Sequence, residues 1–307
     1  MKSIVTRRSF GLTVLSACLI RKAEAGGSTR WALLSDIHQT TTFPSGWTDN
    51  QYYNFATALN SVTQSKFDGL LICGDLTTES VDPLEVGTLA DYRTVKALLD
   101  PVKGRFHKMV LGMGNHDDLQ NYQSVFGKPS DLQPVPNKIV LAVDADPVRI
   151  VVLDSSDQSF GPAQLTWLQS YLKAHHDKPV ILFTHYPPDE SPDGIIPWSN
   201  GISLASVISA DSFRSVKAIV SGHLHTFSFG VWAGRTYLLN LPATDPSGLP
   251  YRGPVQIRVE QVQPIQLSGA GTGWVDATFG KTAWSLTMMS IFGAPTAFLG
   301  SPYPWLT

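Results

Sequence analysis

Five short segments of this chain end in residue types that bind metals. They are Asp36-Ile37-His38, Gly74-Asp75, Gly114-Asn115-His116-Asp117, the isolated His185, and Gly222-His223-Leu224-His225. Carboxylate, carboxamide and imidazole are oxygen and nitrogen donors, and no thiolate stands among them. Such a set suits Fe, Mn or Zn better than Cu(I) or an iron–sulfur cluster. Gathered in one place, these side chains could hold two metal ions, an arrangement suited to phosphate ester cleavage. Singly, each segment is a weak signal, because Gly-Asp is a common turn and Asp-x-His an ordinary hydrogen-bonded pair. Their joint order along the chain is what argues against coincidence.

The elements that must position them are short apolar runs. Trp31 to Leu34 leads to Asp36, Gly69 to Ile72 leads to Asp75, and Met109 to Leu111 leads to Asn115. Val180 to Phe183 leads to His185 and Ala218 to Val220 to His223, while Arg149 to Leu153 ends at Asp154. Near-continuous apolar runs of this length read as buried, mostly parallel strands. In an open α/β sheet, ligands collect beyond the strand ends. Helical spacing recurs between the runs. It places Tyr53, Ala56, Leu59 and Val62 on one face of 50–65, Leu89, Tyr92, Val95 and Leu99 on one face of 86–99, and Leu165, Leu168 and Leu172 on one face of 164–174. Strands alternating with helices predict α/β layers. Segments 227–232, 236–241 and 255–259 alternate without helices and are expected to close a second sheet by antiparallel pairing.

Taken together, the five segments resemble the calcineurin-like metallophosphoesterases over roughly Thr29 to Glu260, nearly all of the chain before the tail. The resemblance implies a four-layer α/β/β/α sandwich with two mixed sheets and a metal pair at the strand ends. It implies that Asp36, His38 and His225 hold one metal, that Asn115, His185 and His223 hold the other, and that Asp75 bridges both. It also implies that metal-activated water attacks phosphorus. His116 would stabilise the charged oxygens or protonate the departing alkoxide, with Asp117 orienting it. Thr78 stands where purple acid phosphatases carry a tyrosine ligand, and the Gly-Asp segment lacks the Asp-Arg-Gly of protein Ser/Thr phosphatases. Both departures point to the phosphodiesterase-like branch, similar to bacterial cyclic-nucleotide and glycerophosphodiester enzymes. His185 is followed by Tyr186, where relatives often carry a second histidine.

The expected activity is hydrolysis of small phosphodiesters or phosphomonoesters. Alternatives are a pyrophosphate-bond hydrolase on the same site and, in a different class, a non-catalytic binding module on this fold. A complete ligand set argues against the last. Loops 40–49, 187–201 and 242–253, rich in Pro, Gly and aromatics, are expected to shape a pocket with Trp47, Tyr186 and Trp198 as candidate walls; packing on the domain is the equal alternative. His107, His175 and His176 fall outside the pattern and take no role. Asp118 and Asp154 are expected to cap or support rather than ligate.

The chain of 307 residues is long enough for one large domain, and 43% hydrophobic with 16% charged residues is ordinary for a globular protein. A net charge of -2 excludes a general nucleic-acid binder. Residues 1–25 read as an export signal. Lys2, Arg7 and Arg8 precede an apolar run from Phe10 to Ile20, too short to span a bilayer, and Ala23-Glu24-Ala25 fits a cleavage site. Arg7-Arg8-Ser9-Phe10-Gly11-Leu12 resembles a twin-arginine signal. Leu15-Ser16-Ala17-Cys18 offers a second ending, as a lipobox with a lipid anchor on Cys18. Either places the protein in the bacterial periplasm or outside the cell. Cleavage after Ala25 leaves one cysteine, Cys73, a core thiol with no internal disulfide to form. The expected domain spans 29–262. Residues 263–307 form a packed C-terminal extension, interrupted by Gly293 and Pro295 and so unsuited to a membrane span.

Overall fold

A computed structural model of the chain describes residues 27–41, 50–78, 87–127, 134–187, 204, 214–225, 228–232, 236–241, 273–281, 284–290 and 296–300. Strands β1 (Ser28–Leu34), β2 (Gly69–Ile72) and β3 (Lys108–Leu111) run parallel, with Trp31 opposite Gly69 and Gly69 opposite Lys108. The other edge of β1 is taken by β10 (Gly273–Gly280), followed by β11 (Trp284–Ser290) and β12 (Thr296–Gly300), all antiparallel. The residues set aside as a C-terminal extension thus supply half of this six-stranded sheet.

The second sheet runs β4 (Leu141–Ala145), β5 (Val148–Leu153), β6 (Val180–Thr184), β7 (Val216–Ser221), β9 (Thr236–Asn240), β8 (Ser228–Trp232). Its four inner strands, β5, β6, β7 and β9, are parallel, and antiparallel β4 and β8 close its edges. Antiparallel closure holds for β8 against β9, whereas β9 joins β7 in parallel. The segment 255–259 lies outside the described residues.

Alternate side chains show why these runs are apolar throughout. Ile150, Val152, Ile181, Phe183, Ala218 and Val220 pack into the large core shared with the first sheet. Val151, Leu153, Leu182 and Ile219 point the other way, against Leu168 and Leu172 of helix α4 (Gly161–Ala174). Helices α1 (Asn50–Thr63) and α2 (Leu89–Leu99) cover the first sheet through Phe55, Leu59, Val62, Tyr92, Val95 and Leu99. In α1 the buried face is Phe55, Ala58, Leu59 and Val62, shifted from the expected Ala56 stripe. A short helix α3 (Leu119–Phe126), capped by Asp118 accepting from the Asn121 amide, packs beside α2. Two sheets face to face with helices outside make the four-layer α/β/β/α sandwich. Among the described residues no helix is long and apolar enough to cross a membrane.

Candidate metal centre

All five ligand segments lie at the C-terminal ends of parallel strands β1, β2, β3, β6 and β7. The first two continue each other's hydrogen bonding after the strands end. The Asp36 amide donates to the Gly74 carbonyl (3.1 Å), His38 to Asp75 (3.0 Å) and Gln39 to Leu76 (3.1 Å). Asp36, His38, Asp75, His223 and His225 all have positive φ, between 44° and 66°, and make up five of the seven such non-glycine residues described. Backbone strain concentrated on one set of side chains marks a functional site.

Two glycines make the stacking feasible. A Cβ on Gly114 would lie 2.1 Å from Asp75 Oδ1, and one on Gly222 would lie 1.9 Å from Ser35 Oγ and 2.6 Å from Asp36 Oδ2. These segments approach too closely for any side chain there.

The donor atoms form two groups that share Asp75. Asp36, His38, Asp75 and His225 offer ligand atoms within 4.8 Å of one another, as do Asp75, His185 and His223. Asn115 completes the second group, its Oδ1 lying 3.1 Å from His185 Nε2 and 2.9 Å from His223 Nδ1. Asp75 Oδ2 lies 3.1 Å from His185 Nε2 and 3.7 Å from His38 Nε2. His225 Nε2 lies 3.3 Å from Asp36 Oδ1 and 3.1 Å from His38 Nε2. Partners behind the ligands fix their orientation. His185 Nδ1 donates to the Cys73 carbonyl at 2.9 Å, which leaves Nε2 to face the cluster. Both Asp36 oxygens accept from the His223 amide, and Asp75 Oδ1 accepts from the His116 amide at 3.0 Å.

The electrostatics show what the centre is built to receive. Burial opposes the charge on Asp36, yet the rings of His225 and His185 hold its carboxyl down at about 2. Asp75 also stays well below the usual carboxylate range despite burial, through His185 and His116. Burial opposes protonation of His185, but Asp75 and Asp36 raise it to about 9; His225 is raised the same way by Asp36. His38 and His223, by contrast, are pushed down to about 3 chiefly by burial, so both are neutral donors. Among the described residues, the charged partners of Asp36 and Asp75 are histidines, with no Lys or Arg. Two buried carboxylates collecting protons on neighbouring imidazoles are what a cation site looks like when protons take the cations' place. His223 Nε2 and His225 Nδ1, buried without a hydrogen-bond partner, add unspent donor capacity. The residues fit a pair of metal ions.

His116 stands beside the cluster, its Nε2 4.0 Å from Asp75 Oδ2, with a side chain 24% exposed where the candidate ligands are mostly buried. The expectation that Asp117 orients the His116 ring needs correction. The Asp117 carboxylate is spent on the Gly114, Leu76 and Thr77 amides, the Thr77 hydroxyl and the Tyr92 hydroxyl, at 2.9–3.2 Å. It fixes backbone around His116, not the imidazole. Burial and the charge of Asp75 raise it to about 6, against the pull of the Gly114 and Leu76 amides. The Tyr186 ring is buried against His223, centroids 4.0 Å apart, and so backs a candidate ligand. Trp47 and Trp198 lie outside the described residues. Asp154 accepts from the Ile139 amide and from Ser156, and His175 caps the C-terminus of α4, so neither joins the centre. The sequence reading placed Tyr92 only on a helical stripe; its further signal is that a tyrosine on a core-facing stripe needs a partner for its hydroxyl.

The family model for calcineurin-like phosphoesterases matches residues 29–227. A probable glycerophosphodiester phosphodiesterase of Arcobacter nitrofigilis is 28% identical over 203 residues, covering 64% of this chain and 68% of that one. A probable cyclic nucleotide phosphodiesterase of Fibrobacter succinogenes is 27% identical over 178 residues, covering 56% and 63%. In fold, the chain is similar to a dimetal phosphatase from Danio rerio, with a TM-score of 0.61, 13% identity, and coverage of 88% of this chain and 98% of that one.

Proposed function

The chain belongs to the calcineurin-like phosphoesterase family and is a metal-dependent phosphoric ester hydrolase; from this we propose that it is an exported phosphodiesterase acting on small diesters. The observation that carries the site assignment is the pair of ligand groups meeting at Asp75. Asp36, His38 and His225 would hold one metal, Asn115, His185 and His223 the other, with Asp75 shared. Bound there, two metal ions supply Lewis acidity, lowering the pKa of water and neutralising phosphoryl oxygens.

The chain's own residues do the rest. Asn115 contributes a neutral carbonyl oxygen, which limits negative charge where an anionic phosphate must sit. In the metal-free centre Asp36 and Asp75 stay ionised despite burial, because neighbouring imidazoles hold their carboxyls low. His116, partly exposed at the edge of the cluster, is placed to donate a hydrogen bond to phosphoryl oxygen or a proton to the departing alkoxide. Support for a diester substrate comes from the two relatives named above, both phosphodiesterases by name. The test is hydrolysis of bis(p-nitrophenyl) phosphate, cyclic nucleotides and glycerophosphodiesters beside p-nitrophenyl phosphate, with Mn, Zn and Fe in parallel. A higher kcat/KM on monoesters than on every diester would overturn the diester reading. Support for export comes from residues 1–25, with their paired arginines, apolar run and Ala-x-Ala ending. N-terminal sequencing of the mature protein checks it: a start at Gly26 fits signal cleavage, a blocked Cys18 fits lipidation, and an intact Met1 rejects both.

A further inference from the structure

We propose that Tyr92 is a positioning residue for the metal centre, acting through Asp117 to hold the loops of Asp75 and Asn115–His116 in register. The ring is fully buried in the first turn of α2, wedged edge-on by Tyr122 and Phe126 at centroid distances of 6.3 and 6.2 Å. Its hydroxyl donates to Asp117 Oδ1 at 2.9 Å and accepts from the Asp118 amide at 2.7 Å. Asp117 Oδ2 takes the Leu76 and Gly114 amides, and Oδ1 takes the Thr77 amide and hydroxyl. One carboxylate therefore ties the loop after β2 to the loop after β3. The tie reaches the centre directly, because the His116 amide that aims Asp75 Oδ1 belongs to the turn so held.

Residues in the same helical turn and just before it brace the remaining parts. Asp91 accepts from the amide and hydroxyl of Thr41, three residues beyond His38, and the Gly87 amide donates to the His116 carbonyl at 3.0 Å. The start of α2 thus touches all three ligand loops of the first sheet. The bland reading is a core tyrosine whose hydroxyl merely found an acceptor. It differs in consequence, since a core hydroxyl affects stability alone, whereas a positioning hydroxyl affects metal binding and turnover.

Tyr122 provides the matched control. It is buried in the same aromatic cluster, but its hydroxyl donates to the Leu111 carbonyl at 3.0 Å, inside β3. Tyr92→Phe and Tyr122→Phe are compared by thermal melting, by calorimetric titration with Mn2+ and Zn2+, and by kinetics on bis(p-nitrophenyl) phosphate. Both should lose similar stability. Only Tyr92→Phe should bind metal about tenfold more weakly and lose kcat about tenfold with KM little changed, the scale of losses behind a metal's ligands. The proposal is overturned if Tyr92→Phe binds metal like the wild type, if Tyr122→Phe weakens it equally, or if Tyr92→Phe fails to fold where Tyr122→Phe succeeds. It rests on the metal-site reading and not on the choice of ester. A wild type that binds metal but cleaves no ester would sink the proposed function and leave the titration to decide Tyr92.

Discussion

Replacing Gly114 by alanine tests how closely the ligand loops of β2 and β3 are stacked. The added Cβ would lie 2.1 Å from Asp75 Oδ1 and 2.4 Å from the Asp75 amide nitrogen, where ordinary contact is about 3.5 Å. Rotating the Asp75 side chain relieves the first contact but misdirects the shared carboxylate. The second contact is with backbone, so the loops themselves must part by about 1 Å. Parting strains the hydrogen bonds that cross between the loops, from the His116 amide to Asp75 at 3.0 Å and from the Leu76 amide to Asp117 at 3.1 Å. Overpacking of this kind costs about 1–3 kcal/mol, and a weakened hydrogen bond to a charged group adds a similar amount. We expect a total of about 3 kcal/mol, which lowers Tm by about 5 °C in a chain of 307 residues. Metal stoichiometry should fall from two because Asp75 serves both groups. Gly104→Ala is the control: it lies in the 3-10 turn Lys103–Arg105, and its Cβ would meet nothing within 4 Å. Melting of the metal-free protein and elemental analysis after loading are the assays. A Gly114→Ala variant with wild-type Tm and two bound metals would refute the stacking argument.

Stability of the metal-free protein should fall as pH rises. The folded-state value of His185, about 9 against an ordinary 6.5, means that its protonation stabilises fully below about 6.5 and ceases to as pH passes 9, a loss of at most about 3 kcal/mol. Urea melts across that window should show the decline without metal and little of it with metal bound; a flat metal-free profile would count against the buried charge cluster. His116→Ala should cost more turnover on alkyl diesters than on nitrophenyl diesters, whose leaving group needs no proton. Equal losses on both would remove the acid role and leave only charge stabilisation.

What was legible in the sequence is what is local. Each ligand segment follows a strand whose last residues are buried on both faces, and such stretches read as unbroken apolar runs. The tail was harder, because β10 carries Asp276 and Thr278 among its apolar residues and finds its partner across the whole chain. Arg30 on β1 pairs with Asp276, Nη2 to Oδ2 at 2.6 Å, a contact between residues 246 apart that no local pattern announces. Helix α3 spans eight residues, too few for helical periodicity to stand out. Asp117 was legible as part of the cluster but misjudged in its partners. Those partners come from four places, residues 76, 77, 92 and 114, and only the fold brings them to one carboxylate.

The strained ligands explain how the centre is held. Five left-handed residues at about 1–2 kcal/mol each total about 5–10 kcal/mol, comparable to the net stability of a whole domain. The offset must come from elsewhere, and the two sheets with apolar residues buried on both faces are where it is available. The pairing of the β1 and β2 loops carries that support past the strand ends into Asp36, His38 and Asp75. Left-handed turns also let ligands two residues apart, His223 and His225, serve different groups. Ligand direction is thus set by backbone before any cation arrives. Replacing one histidine ligand therefore removes one donor and leaves its neighbours in place, whereas Asp36 and Asp75 also hold the His223 and His116 amides. A change at Gly114, Asp117 or Tyr92 moves several donors at once, although none of the three is a ligand.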